Sequence, residues 1–146
     1  MRAVVQRVSE ASVTVDGKIT GSIREGLLVL IAVHREDTDD QLRWMAEKLR
    51  KLRIFEDEDG KMNRSVEDVG GGILLVSQFT LYGELKKGTR PSFTGSAGPE
   101  KAEQMYDRLA DLLKESLPGR VGTGIFAAKM EVSLVNDGPV TIIVER

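Results

Sequence analysis

A two-residue turn between alternating segments constrains this chain most. Val4, Gln6 and Val8, and then Ser12-Val13-Thr14-Val15, follow the period-two pattern of half-buried strands. Asp16-Gly17 comes next, a pair that readily adopts the positive φ angles of a tight hairpin. Ile19–Ile23 then reads as the returning strand. The chain is therefore expected to begin as antiparallel sheet.

The run Leu27-Leu28-Val29-Leu30-Ile31-Ala32-Val33 is too short for a typical helix and reads as a strand buried on both faces. Asp37-Thr38 can cap a helix starting near Asp39, where Leu42, Met45, Ala46, Leu49 and Leu52 recur at helical spacing. Arg53-Ile54-Phe55-Glu56 reads as a strand, followed by a turn at Asp59-Gly60. Gly70-Gly71-Gly72 precedes a second apolar strand, Ile73–Val76, which runs into Ser77-Gln78-Phe79-Thr80-Leu81. Residues 82–98 are rich in Gly, Ser, Thr and Lys and read as a long functional or mobile loop. Gly98-Pro99 opens a second helix with the apolar stripe Ala102, Met105, Tyr106, Leu109, Leu112 and Leu113. Pro118-Gly119 ends it, and two last strands, Glu131–Val135 and Val140–Val144, flank a turn at Asn136-Asp137-Gly138-Pro139. The fold class expected is α+β, an antiparallel sheet carrying two amphipathic helices, in one domain spanning 1–146.

Cysteine is absent, which excludes disulfides, thiolate nucleophiles and cysteine metal sites. The net charge of -2 argues against a general nucleic-acid coat protein, yet leaves room for a local basic patch. Two clusters qualify: Lys48, Arg50, Lys51 and Arg53 near a helix end, and Lys86, Lys87 and Arg90 in the loop. By charge alone each is better read as a solvated face. The chain opens without an apolar signal segment, and its longest apolar stretch is far too short to span a bilayer. A soluble cytoplasmic protein is the simplest expectation.

Chemistry has few places to reside. The single histidine, His34, ends a buried strand and reads better as a strand-end residue than as a catalytic base. Asp57-Glu58-Asp59 reads as a solvated turn, and Gly70-Gly71-Gly72 lacks the lysine and hydroxyl of a phosphate cradle. Two stretches stand out. Ser77-Gln78-Phe79-Thr80-Leu81 sets two hydroxyls and an amide at the end of an apolar strand, where a rigid element meets solvent. Asn136-Asp137-Gly138-Pro139-Val140-Thr141 reads, from the residues alone, as a turn.

These two stretches resemble the SQFTL and NxGPVT motifs of the D-aminoacyl-tRNA deacylase family. Lys87-Gly88-Thr89-Arg90-Pro91-Ser92-Phe93 resembles the loop between them, and Arg2–Val15 resembles the family's start, so the likeness spans essentially the whole chain. The resemblance implies a fold of the family's own type, barrel-like, in a homodimer with sites at the subunit interface. It implies a cis Gly138-Pro139 bond that reaches into the partner's site and rejects L-amino acids. It implies aminoacyl-tRNA as the partner, hydrolysis of D-aminoacyl-tRNA and of glycine mischarged on alanine tRNA, a role in translation quality control, and no cofactor or metal. Ser77, Gln78, Phe79 and Thr80 are the catalytic candidates, Gly138 and Pro139 the substrate-binding ones, and Lys86, Lys87 and Arg90 candidate tRNA contacts.

Ester hydrolysis needs a nucleophile, an oxyanion donor and a proton for the leaving oxygen. The Thr80 hydroxyl is a weak nucleophile without an adjacent base, and the sequence places none beside it. In the alternative route the protein supplies geometry, the Phe79 backbone N–H meets the oxyanion, and the 2′-hydroxyl of the tRNA assists; the resemblance favours this one. Two other classes remain: a non-catalytic RNA- or ligand-binding module, and an esterase for unrelated small esters.

Overall fold

The expected hairpin forms. In the computed structural model, which describes residues 1–146, β1 (Arg2–Val15) returns as antiparallel β2 (Lys18–Ile23) through Asp16 and Gly17, at φ 49° and 77°. The apolar run becomes β3 (Gly26–Ala32), antiparallel to the first half of β1. Helix α1 (Asp39–Lys51) follows, then the small hairpin β4 (Phe55–Glu56) and β5 (Met62–Arg64), and β6 (Gly72–Ser77). After a 3-10 turn at Phe79–Tyr82 and a long loop come α2 (Pro99–Ser116), β7 (Val121–Thr123) and β8 (Glu131–Glu145). No helix is long and apolar enough to cross a membrane.

The sheet is mixed. The pairs made by β1 are antiparallel as expected, whereas β3–β6 and β6–β7 run parallel, with α1 and α2 in their crossovers. Parallel neighbours need such long connections, and the helices supply them. The sheet curls until β7 meets β2: a side chain added at Gly21 would start 2.5 Å from the Thr123 carbonyl oxygen. A nearly closed, barrel-like α+β fold results.

Alternation along β3 and β6 divides the core. Leu27, Val29, Ile73 and Leu75 face the helices and pack against the expected stripes, among them Leu42, Met45, Leu49, Met105, Leu109 and Leu113. Leu28, Leu74 and Val76 face the other way, into a smaller cluster with Val8, Ala11 and Val13 inside the curl. Each buried Leu, Val or Ile stabilises the fold by roughly 1.5–3 kcal/mol relative to exposure.

Two expectations need correction. Thr38 alone caps α1, its hydroxyl accepting from the Asp40 N–H while Gln41 accepts from the Thr38 N–H at 3.0 Å. Asp37 instead turns inward, buried, and accepts from the Met1 ammonium and the His34 N–H, both at 2.6 Å. The last two strands are one, β8. Both halves pair antiparallel with β1, so the chain does not reverse at Asn136-Asp137-Gly138-Pro139. Thr141 lies opposite Gln6 and Asn136 opposite Val8, so the surplus residues bulge out of the ladder.

Candidate active site

Strand β6 carries Ser77 to the end of the sheet, where Gln78 N–H donates to the Ile31 carbonyl at 2.8 Å as the last tie to β3. The chain then curls into the 3-10 turn, closed by Leu81 N–H to the Gln78 carbonyl at 3.2 Å and Gly83 N–H to the Thr80 carbonyl at 2.9 Å. The first donors of such a turn have no partner within it. The Phe79 and Thr80 amides accordingly engage no backbone carbonyl.

Phe79 lines a cleft of about 610 Å³, and Thr80 follows it in the turn. Its lining is mostly apolar. Ile31 and Val33 come from the end of β3, Val76 and Ser77 from β6, Ala102 and Tyr106 from α2, and Phe126, Ala127, Ala128 and Met130 from the segment before β8. Phe93, from the long loop, meets the half-exposed Phe79 edge-on, with ring centroids 5.1 Å apart. The Tyr106 hydroxyl donates to the Leu75 carbonyl at 2.8 Å, and burial pushes its pKa up to about 12, so the phenol stays neutral. Ala127 holds φ 59°, unusual for a residue with a β-carbon, in a turn closed by the Ala128 N–H and the Ile125 carbonyl.

The structure brings the whole sequence-predicted quartet to this cleft. Ser77, Gln78 and Phe79 line the cleft, and Thr80 sits beside them, its hydroxyl oxygen accepting from Gln78 Nε2 at 2.5 Å. An amide is no base, and no carboxylate or imidazole bonds to Thr80. The His34 ring lies 5.2 Å from Tyr82, and its Nδ1 accepts from the Glu36 N–H at 3.3 Å. His34 thus sits just past the end of β3, in contact with Tyr82 and Glu36. Phe93, Tyr106 and Phe126 were not singled out as cleft walls; lone aromatics in the Gly- and Ser-rich loop and the Gly- and Ala-rich segment were the available signal.

Gly138 and Pro139 lie elsewhere. They occupy the β8 bulge, exposed, with a cis peptide bond between them, and form no part of the wall of this chain's own cleft. The bulge is pinned from below by the buried Arg7, whose Nε donates to the Asp137 carbonyl at 3.0 Å; Asn136 Oδ1 accepts from the Val140 N–H at 2.8 Å. Gly138 has φ +136°, and a β-carbon there would start 2.7 Å from Val140 Cγ2 and 3.3 Å from Arg7 Nη2.

The basic clusters differ. Arg50 pairs with Glu67, Lys51 with Glu47 at 2.7 Å and Arg53 with Asn63, while Lys48 lies over Trp44, so that cluster is absorbed within the chain. Lys86, Lys87 and Arg90 form the exposed tip of a loop narrowed by two hydrogen bonds between Glu84 and Ser92. Only Lys86 of the three pairs internally, with Glu84 at 3.1 Å. The acidic turn is structural: Asp57 accepts from the Asp59 and Lys61 N–H groups and from Asn63, whose side-chain bond is the chief cause holding its carboxyl below the usual range.

The sequence and the fold recur in known proteins. The sequence profile described as D-Tyr-tRNA(Tyr) deacylase matches residues 4–145. The D-aminoacyl-tRNA deacylase of Thermotoga petrophila is 56% identical over 145 residues, 99% of this chain and 97% of that protein. Among solved structures, the c-Myc DNA unwinding element binding protein superposes with a TM-score of 0.95 at 44% identity, over 100% of this chain and 99% of that one. A protein described as a probable eukaryotic D-amino acid tRNA deacylase shares the fold, with a TM-score of 0.84 at 21% identity over 98% and 97% of the two chains. By full-length sequence and by fold, this chain belongs to the D-aminoacyl-tRNA deacylases, a family of ester hydrolases.

Proposed function

We propose that the protein hydrolyses the ester bond of D-aminoacyl-tRNA and spares the L-form. The observation that carries this reading is the turn at Phe79 and Thr80, whose amides engage no backbone carbonyl, following directly on Ser77 and Gln78 at an apolar cleft that Phe79 lines. Fixed N–H donors at a developing oxyanion need no reorganisation during reaction, and losing one such donor typically costs about 10²–10³ in rate. The apolar cleft suits the terminal adenosine, with the ester carbonyl turned toward the amides. With no base bonded to Thr80, the substrate's own 2′-hydroxyl assists the reaction, and Thr80 orients the ester. The site draws on no cofactor or metal.

Chirality is judged at the α-carbon. Gly138 and Pro139 lie outside the lining of their own cleft, on a bulge of β8, a strand paired on one side only, with Val135 and Ile143 exposed. A second copy can present this bulge to the cleft, as a homodimer with sites shared between subunits. A backbone wall there accepts hydrogen and clashes with carbon, which is discrimination by exclusion. Glycine passes the same wall, so glycyl-tRNA, including glycine mischarged on alanine tRNA, is a substrate as well. Lys86, Lys87 and Arg90 meet the phosphates of the acceptor end.

The test compares release of tyrosine from D-Tyr-tRNA and from L-Tyr-tRNA. Rapid hydrolysis of the D-form alone is expected. Equal rates would overturn the chiral reading, and hydrolysis of simple esters but of neither tRNA would indicate a different esterase.

A further inference from the structure

We infer that Arg2 is a positioning residue for the hydrolysis proposed above: from behind the 3-10 turn it fixes the Phe79 and Thr80 amides in the direction of the ester. The inference rests on that reading of the site. The turn's internal hydrogen bonds set its curl but not its place against the sheet. Its near end is tied to β3 by Gln78 N–H and the Ile31 carbonyl, at 2.8 Å. Past Gln78, the hydrogen bond that carries the turn to another strand comes from Arg2, whose Nη1 donates to the Leu81 carbonyl at 2.7 Å.

The same guanidinium lies over the Tyr82 ring, 4.8 Å from its centroid, while the His34 ring stands 5.2 Å from that of Tyr82. Arg2 is itself oriented by Glu145, whose Oε1 accepts from Nε at 3.0 Å and Nη2 at 2.8 Å. Glu145 is the ladder partner of Arg2 across β1 and β8. One side chain therefore grips the turn through a carbonyl and an adjacent aromatic face, from a strand outside the cleft. The Arg2 side chain is 34% exposed and reaches the turn without entering the cleft.

The test uses the full-length protein and three forms: wild type, Arg2→Ala and Arg2→Lys. Arg2→Ala is expected to lower kcat for D-Tyr-tRNA about 10- to 100-fold, the scale of a misplacement near 1 Å. KM should change less than about threefold, and Tm should fall by no more than about 5 °C, the scale of one lost hydrogen bond of about 1 kcal/mol. Arg2→Lys keeps a donor for the Leu81 carbonyl and should restore most of kcat. Amide NMR provides a readout independent of activity: Phe79–Tyr82 resonances should shift and broaden in Arg2→Ala, with those of α1 and α2 unmoved. Unchanged kcat, or a loss that Arg2→Lys fails to restore, would overturn the inference. If the wild type hydrolyses no D-Tyr-tRNA, the proposed function fails, and unmoved turn amides would separately refute the clamp.

Discussion

The guanidinium of Arg7 reaches the backbone of Asp137 from beneath, with Nε donating to that carbonyl at 3.0 Å. Its Nη1 donates to the Ile54 carbonyl at 2.8 Å, so one buried cation joins the bulge of β8 to the chain just before β4. Arg7→Met fills similar volume but orphans both carbonyls. We expect a loss of about 1–3 kcal/mol in urea unfolding, chiefly from the unsatisfied buried Ile54 carbonyl, with reduced activity because Gly138-Pro139 loses its support. A stability within 0.5 kcal/mol of wild type, a range marked roughly by neutral surface changes, would show that the bulge holds itself.

Gly138→Ala inserts a β-carbon 2.7 Å from Val140 Cγ2, at a φ of +136° that side chains rarely adopt. The backbone must shift. Rates on D-aminoacyl-tRNA and glycyl-tRNA should both fall, by about tenfold or more, as for a misplaced positioning group. Single-turnover assays on the two substrates decide it; a selective loss for D-substrates alone would mean that Gly138 only sets side-chain clearance.

Thr80→Ala removes a hydroxyl that accepts a hydrogen bond from the Gln78 amide. Measurable hydrolysis should survive. A tRNA ending in 2′-deoxyadenosine should instead react far more slowly with the wild type. Mass spectrometry that traps an acyl group on Thr80 would reverse this assignment of the nucleophile.

Neutralising Lys86, Lys87 and Arg90 together should weaken binding to all tRNAs alike. If all three meet phosphates, the slope of log K against log salt should flatten by about two to three units. An unchanged slope returns the loop tip to a solvated face.

Tyr106 gives a pH signature. Burial raises its pKa from 10.0 to about 12 in the folded state, with the nearby Asp107 charge adding to the shift. Its contribution is thus complete below pH 10 and lost as pH rises toward 12. Tyr106→Phe should destabilise the fold by about 1–2 kcal/mol at neutral pH, because the Leu75 carbonyl loses its donor. Unfolding midpoints of the two proteins should converge above pH 10. A constant gap would show that the phenol is not titrating as described.

Local patterns carried much of the fold. The β1–β2 hairpin follows from alternation and Asp16-Gly17, and both helices follow from their apolar stripes and starts. What the sequence hid was non-local. Glu131–Glu145 is one strand because both halves pair with β1, a fact that no window around Gly138-Pro139 contains. Val121–Thr123 is too short to carry a pattern and becomes a strand through pairing with β6. Asp37 looked like a helix cap, but it is drawn inward by the Met1 ammonium, its neighbour in space only. At the candidate site, the strand end at Ser77 was legible because the apolar run of β6 stops there. The aromatic walls Phe93 and Phe126 were not, since only tertiary packing brings their loops to β6.

Strand β1 carries both Arg2 and Arg7, and pairs with β8 along nearly its whole length. The spacing of five residues between the two arginines therefore acts as a ruler. Inserting or deleting one residue between Ala3 and Gln6 would invert the facing of every side chain on one side of the change. Arg2 would leave Leu81 or Arg7 would leave Asp137, and the remaining contact could not compensate. Single substitutions between the two arginines can be absorbed more readily than changes in length, so lineages carrying this chain should keep Arg2, Arg7 and the count of residues between them while the letters in between vary.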